Sequence, residues 1–123
     1  MQGLHLTADL ADCPVDRPAF TQPEALRSLC LQAVHRCGLQ PVGELFHRFE
    51  EGGGVTGVVL LAESHLAVHT WPELGAVTLD VYVCNYSGDN DARALALLAD
   101  LEAAFSPGRV EHHRLRRGAL TRA

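Results

Sequence analysis

Between Ala76 and Cys84 the chain alternates without a fault, Val77, Leu79, Val81 and Val83 interleaving with Thr78, Asp80, Tyr82 and Cys84. A period of two sustained this long predicts a strand buried on one face and polar on the other. Leu4, Leu6, Ala8 and Leu10 alternate with His5, Thr7 and Asp9 in the same way, and Asp12-Cys13-Pro14 ends that first strand. Two half-buried strands so far apart in the chain need a common apolar cover.

Helices supply it. Leu26, Leu29, Cys30, Ala33, Val34 and Cys37 recur at helical spacing and predict a helix over 22–37. Thr21-Gln22-Pro23-Glu24 reads as a capping box with proline in the first turn, and Gly38 stands at the stop. Ala94, Leu97, Leu98, Leu101 and Phe105 predict a second helix over 90–105, with Asp89-Asn90-Asp91 as capping residues and acids suited to its dipole. Strands are expected over 42–49 and 55–62, joined by Glu50-Glu51-Gly52-Gly53-Gly54, then from Leu66 to Thr70 before Trp71-Pro72. A last strand over 109–115 leads into a basic tail of Arg114, Arg116 and Arg117. The order β-α-β-β-β-β-α-β lacks the strict alternation of a doubly wound parallel fold. It predicts an α+β two-layer sandwich, an antiparallel sheet with two helices packed on one face. At 123 residues, without linkers, residues 1–123 form one domain.

All ten basic residues are arginine, and there is no lysine. Such a chain cannot hold pyridoxal phosphate (PLP) as an internal Schiff base, nor use an amine nucleophile. The net charge of −5 argues against a nucleic acid partner. No apolar run approaches the ~20 residues of a membrane span, so no membrane partner is expected. The start of the chain lacks the pattern of a signal peptide, and four cysteines without a CxxC pair suit reduced thiols in a cytoplasm.

Most candidate sites dissolve on inspection. His65 and His69 would pair on a helix, but on a strand they stand ~13 Å apart, so no metal is expected there. His112 and His113 face opposite ways on a strand, and Cys30 and Cys37 fall on the apolar helix stripe. One cluster survives. Glu63-Ser64-His65 interrupts an apolar run without glycine, proline or asparagine to make an ordinary turn. Thr56, His69 and Cys84 lie on extended segments that could converge on it. A hydroxyl, an imidazole and a thiol around one serine make a nucleophile's setting.

The run Glu63-Ser64-His65-Leu66-Ala67-Val68-His69-Thr70-Trp71-Pro72-Glu73, followed by Leu79-Asp80-Val81-Tyr82-Val83-Cys84, resembles the prokaryotic S-adenosylmethionine decarboxylase proenzymes. The likeness extends through Gly3-Leu4-His5-Leu6, His47-Arg48-Phe49 and Gly54-Val55-Thr56-Gly57-Val58, covering residues 3 to 84 in order. It implies self-cleavage between Glu63 and Ser64, giving a β chain 1–63 and an α chain 64–123. Ser64 would attack the Glu63 carbonyl, and β-elimination and hydrolysis would leave a pyruvoyl group at position 64. By match to the family motif, Thr56 assists the acyl shift, His69 removes the serine α-proton, and Cys84 returns a proton to the product. The pyruvoyl ketone would form a Schiff base with the substrate amine, standing in for the missing lysine and its PLP. Glu73 matches a carboxylate on the ribose hydroxyls, Phe49 an aromatic stacked on adenine, and Asp9 an acid near the substrate. The resemblance further implies a homodimer of αβ units with active sites near the subunit contact, and a product that donates aminopropyl groups for spermidine.

The chain departs from its relatives at Leu74, where tyrosine is common, and at Asn85-Tyr86, where glycine commonly follows the cysteine. The loop after Phe49 is rich in Glu and Gly instead of Ser and Pro. These positions border the expected pocket and keep two alternatives open: a pyruvoyl-dependent ornithine or arginine decarboxylase, and an unprocessed homologue without activity.

Overall fold

In the computed structural model, which describes residues 2–86 and 88–118, six strands form one antiparallel sheet in the order β2-β3-β4-β5-β1-β6. These are β1 (Gly3–Ala11), β2 (Pro41–Arg48), β3 (Val55–Leu61), β4 (Ser64–Trp71), β5 (Ala76–Cys84) and β6 (Arg109–Arg117). Helices α1 (Pro23–Arg36) and α2 (Asp91–Phe105) cover one face, α1 over β2 and β3 and α2 over β1 and β5. The expected two-layer sandwich is what forms. Leu4, Leu6, Ala8 and Leu10 of β1 and Val77, Leu79, Val81 and Val83 of β5 enter the core with Leu26, Val34, Leu97 and Leu101. Phe20 and Phe105 meet edge to face at 5.5 Å, both fully buried, each worth ~1.5–3 kcal/mol of transfer energy. Cys30 lies deep in this core, where burial pushes its thiol up to about 12.

Local signals mostly held, with instructive exceptions. Gly38, at φ +82°, ends α1: its N–H donates to the His35 carbonyl, and the Leu39 N–H reaches back to Val34. The capping box of Thr21–Glu24 does not form. The N–H groups of Thr21 and Gln22 both donate to the Pro18 carbonyl in a 3-10 turn, and the Gln22 side chain makes no cap bond. Strand β4 begins at Ser64, because β3 and β4 turn on only two residues, Ala62 and Glu63. The expected basic tail is strand: Arg114, Arg116 and Arg117 all belong to β6, where Arg116 pairs with Asp91 and Arg117 lies 5.3 Å over the Tyr82 ring. Likewise His112, on the helix side of β6, pairs with Glu102 of α2.

Between β2 and β3 the glycines have separate tasks. Gly52 takes φ +76°, a turn conformation that side chains resist. A Cβ at Gly54 would stand 2.0 Å from the Thr70 carbonyl oxygen, so only glycine lets this loop close on the end of β4. Thr70, the buried polar residue there, donates its hydroxyl to the Phe20 carbonyl and accepts the Val55 N–H. This holds the end of β4, and with it Trp71 and Glu73, in a fixed place.

Candidate active site

The turn carrying the expected cleavage point is strained. Glu63 has φ +66°, a left-handed conformation that costs a non-glycine residue on the order of 1–2 kcal/mol. The sequence signal was the absence of glycine or asparagine where a two-residue turn needs one. Ser64 follows, half-buried, and its Oγ accepts the backbone N–H of Cys84 at 3.2 Å. His65 pairs with Tyr82 across β4 and β5, so that register continued by two residues sets the buried Cys84 opposite Glu63. Ser64, Cys84 and the Glu63–Ser64 peptide therefore share one rim of the sheet.

Thr56 and His69 share another place. They are direct partners across β3 and β4, and Thr56 Oγ1 lies 3.1 Å from His69 Nδ1. The same cross-strand row contains His47, Thr78, Asp9 and Glu111 on the helix-free face. The Phe49 ring stands 5.5 Å from that of His47, and Trp71 stands 6.4 Å from His69. Glu73 lies exposed in the 3-10 turn Pro72–Leu74 that follows β4. Asp9, Thr78 and Glu111 also line a cavity of about 440 Å³ beside Arg109.

Within one chain these two groups do not converge. Ser64 and His69 are five residues apart on β4, roughly 17 Å along a strand. Ser64 also alternates with buried Leu66 and Val68, whereas His69 shares the open face with His65. The structure thus brings together Thr56 with His69, and Ser64 with Cys84, and sets Phe49, Glu73 and Asp9 at the Thr56–His69 end.

Two polar groupings were not singled out from the sequence. On the open face His5 pairs with Asp80, and the rings of His5, His65 and Tyr82 stand 5.7 to 6.5 Å from one another. The alternation of β1 and β5 put these residues on the polar face, but only the register makes them neighbours. At the end of β5, Asn85, Asn90, Asp91 and Arg116 form a hydrogen-bonded chain. There Asn85 first, then Arg116, holds the Asp91 carboxyl below its ordinary value.

Comparison with known proteins agrees with this arrangement. Residues 4–118 match the family model described as S-adenosylmethionine decarboxylase. The S-adenosylmethionine decarboxylase proenzyme of Archaeoglobus fulgidus is 38% identical over 116 residues, covering 94% of this chain and 97% of that protein. That of Aquifex aeolicus is 38% identical over 118 residues, covering 96% and 82%. The crystal structure of the adenosylmethionine decarboxylase from Aquifex aeolicus superposes with a TM-score of 0.86 at 34% identity, covering 98% of this chain and 94% of that one. With the sheet order, the strained Glu63–Ser64 turn and these matches together, the chain belongs to the S-adenosylmethionine decarboxylase family.

Proposed function

We propose that this protein cuts itself between Glu63 and Ser64 and then decarboxylates S-adenosylmethionine with the pyruvoyl group made from Ser64. The observation that carries it is the serine hydroxyl held beside a left-handed, exposed Glu63 in a two-residue turn. In the cut, Ser64 Oγ bonds to the Glu63 carbonyl carbon, the C–N bond breaks, and the hydroxyl proton ends on the Ser64 nitrogen. Loss of the Ser64 α-proton then expels the Glu63 carboxylate, and water replaces the nitrogen as ammonia. These residues fit the group: a serine at a strand's first position becomes a chain terminus at the sheet rim. The pyruvoyl ketone supplies a carbonyl that takes up the substrate amine and draws electrons from the departing carboxylate. Cys84, whose backbone N–H meets the Ser64 hydroxyl, donates the proton that replaces the carboxylate. Glu73 accepts from the ribose hydroxyls, Phe49 stacks on adenine, and Asp9 borders the substrate.

The 17 Å between Ser64 and His69 is bridged by a second copy. The uncovered face of the sheet exposes Leu45, Leu60 and Leu115 among half-buried histidines, a surface suited to a partner sheet. Two such faces packed about a two-fold axis bring the Ser64–Cys84 rim of one chain over the Thr56–His69 row of the other. In this homodimer His69 removes the α-proton, and Thr56, hydrogen-bonded to it, assists the acyl shift. We assign the product the role of aminopropyl donor for spermidine, in the cytoplasm.

Cleavage and turnover separate by mutation. Cys84→Ser should still cut, since its backbone N–H remains, yet release carbon dioxide ~10²–10⁴-fold more slowly. Near-normal turnover by this variant would move the proton donor elsewhere. Glu73→Ala and Phe49→Ala should each lower kcat/KM for S-adenosylmethionine by roughly ten- to a hundredfold while self-cleavage proceeds. Slowed cutting with normal kcat/KM would remove them from the substrate site.

A further inference from the structure

We propose that Asn90, braced by Asn85 and Asp91, is a positioning residue for self-cleavage, fixing the Cys84 peptide so that its N–H stays on the Ser64 hydroxyl. The inference rests on the self-cleavage reading and concerns its first step. The β4–β5 pairing ends at His65 and Tyr82, so the Cys84 peptide lies past the last cross-strand partner on that side. Its carbonyl instead accepts Asn90 Nδ2 at 3.0 Å, while its N–H donates to Ser64 Oγ. Arg93 donates to Asn90 Oδ1 at 3.1 Å, which leaves Nδ2 as the atom turned to Cys84. Asn90 itself is held, its N–H donating to Asn85 Oδ1 at 2.8 Å. Asn85 Nδ2 donates to Asp91 Oδ1 at 2.9 Å, and the Asn85 N–H to the Gln2 carbonyl at 2.7 Å. Arg116 of β6 closes the chain on Asp91 at 2.7 Å.

The position of Asn90 makes this use telling. It is the residue before α2, where an asparagine side chain ordinarily accepts an N–H of the first turn. Here it makes no such bond, and Asp89 Oδ1 takes the Asp91 N–H instead. The amide is committed to Cys84. Held in this way, the Cys84 N–H fixes the Ser64 hydroxyl in one orientation for its attack on the Glu63 carbonyl carbon, so that no rearrangement is needed at the moment of reaction.

The test follows freshly translated full-length chain by denaturing mass spectrometry, with and without hydroxylamine, for wild type, Asn90→Asp and Asn90→Ala. Hydroxylamine cuts the ester formed by the acyl shift and so reports that shift separately from β-elimination. Asn90→Asp keeps the size and an acid favourable to the start of α2, but it has no donor for the Cys84 carbonyl. Both variants should cut roughly ten- to a hundredfold more slowly, and hydroxylamine should not restore the rate. Asn90→Asp should do so with a Tm close to wild type. Wild-type rates in Asn90→Asp, or hydroxylamine release at the wild-type rate, would overturn the proposal. A wild-type chain that stays whole would overturn self-cleavage itself, and this inference with it.

Discussion

Ser64→Ala is expected to leave one intact chain of 123 residues, however long it is incubated, where the wild type yields chains of 63 and 60 residues. The attacking oxygen is the only atom changed, and no other hydroxyl can replace it: only an oxygen on the residue that follows Glu63 forms an ester that β-elimination at position 64 can break. The substitution removes an acceptor for the Cys84 N–H, a loss of about 0.5–1.5 kcal/mol that a core of this size tolerates. The fold should therefore persist, and its uncut state is a chemical consequence. In the wild type the 64–123 chain should weigh one ammonia less than a peptide beginning with serine. An intact wild type, or a second chain that still begins with serine, would contradict the mechanism.

The second large effect is one of complementation. His69→Ala alone should cut poorly, because it lacks the imidazole that takes the Ser64 α-proton, and Ser64→Ala alone should not cut. Co-expressed, they form mixed dimers in which Ser64 of the His69→Ala chain faces His69 of the Ser64→Ala chain. One site per mixed dimer is then whole, and only the His69→Ala chain should be cut. A site built within a single chain gives no cleavage in the mixture. Distinguishable tags on the two chains make the outcome visible on a denaturing gel, and an uncut mixture that contains mixed dimers would exclude the shared site.

Much of this was legible in the chain. The unbroken alternation of Ala76–Cys84 gave β5 its residues and its buried face, and Gly38 marked the end of α1 because only a left-handed residue closes it. The Glu63-Ser64-His65 interruption was visible as a turn without turn residues, and that misfit is the positive φ of Glu63. Two things were hidden. Register is not written in alternation, so the pairing of Thr56 with His69, and their distance from Ser64, needed the sheet. Nor does a sequence distinguish an asparagine that caps a helix from one, like Asn90, whose amide is committed to another peptide.

The central claim is that the cut chain acts on S-adenosylmethionine, and carbon dioxide release from that substrate, ornithine and arginine tests it most directly. A sulfonium nucleoside offers Glu73 a ribose diol and Phe49 an adenine, whereas neither amino acid has a group for them. The processed wild type should release carbon dioxide from S-adenosylmethionine at a rate that Glu73→Ala lowers, and none from the other two. Release from ornithine or arginine, with none from S-adenosylmethionine, would contradict the account.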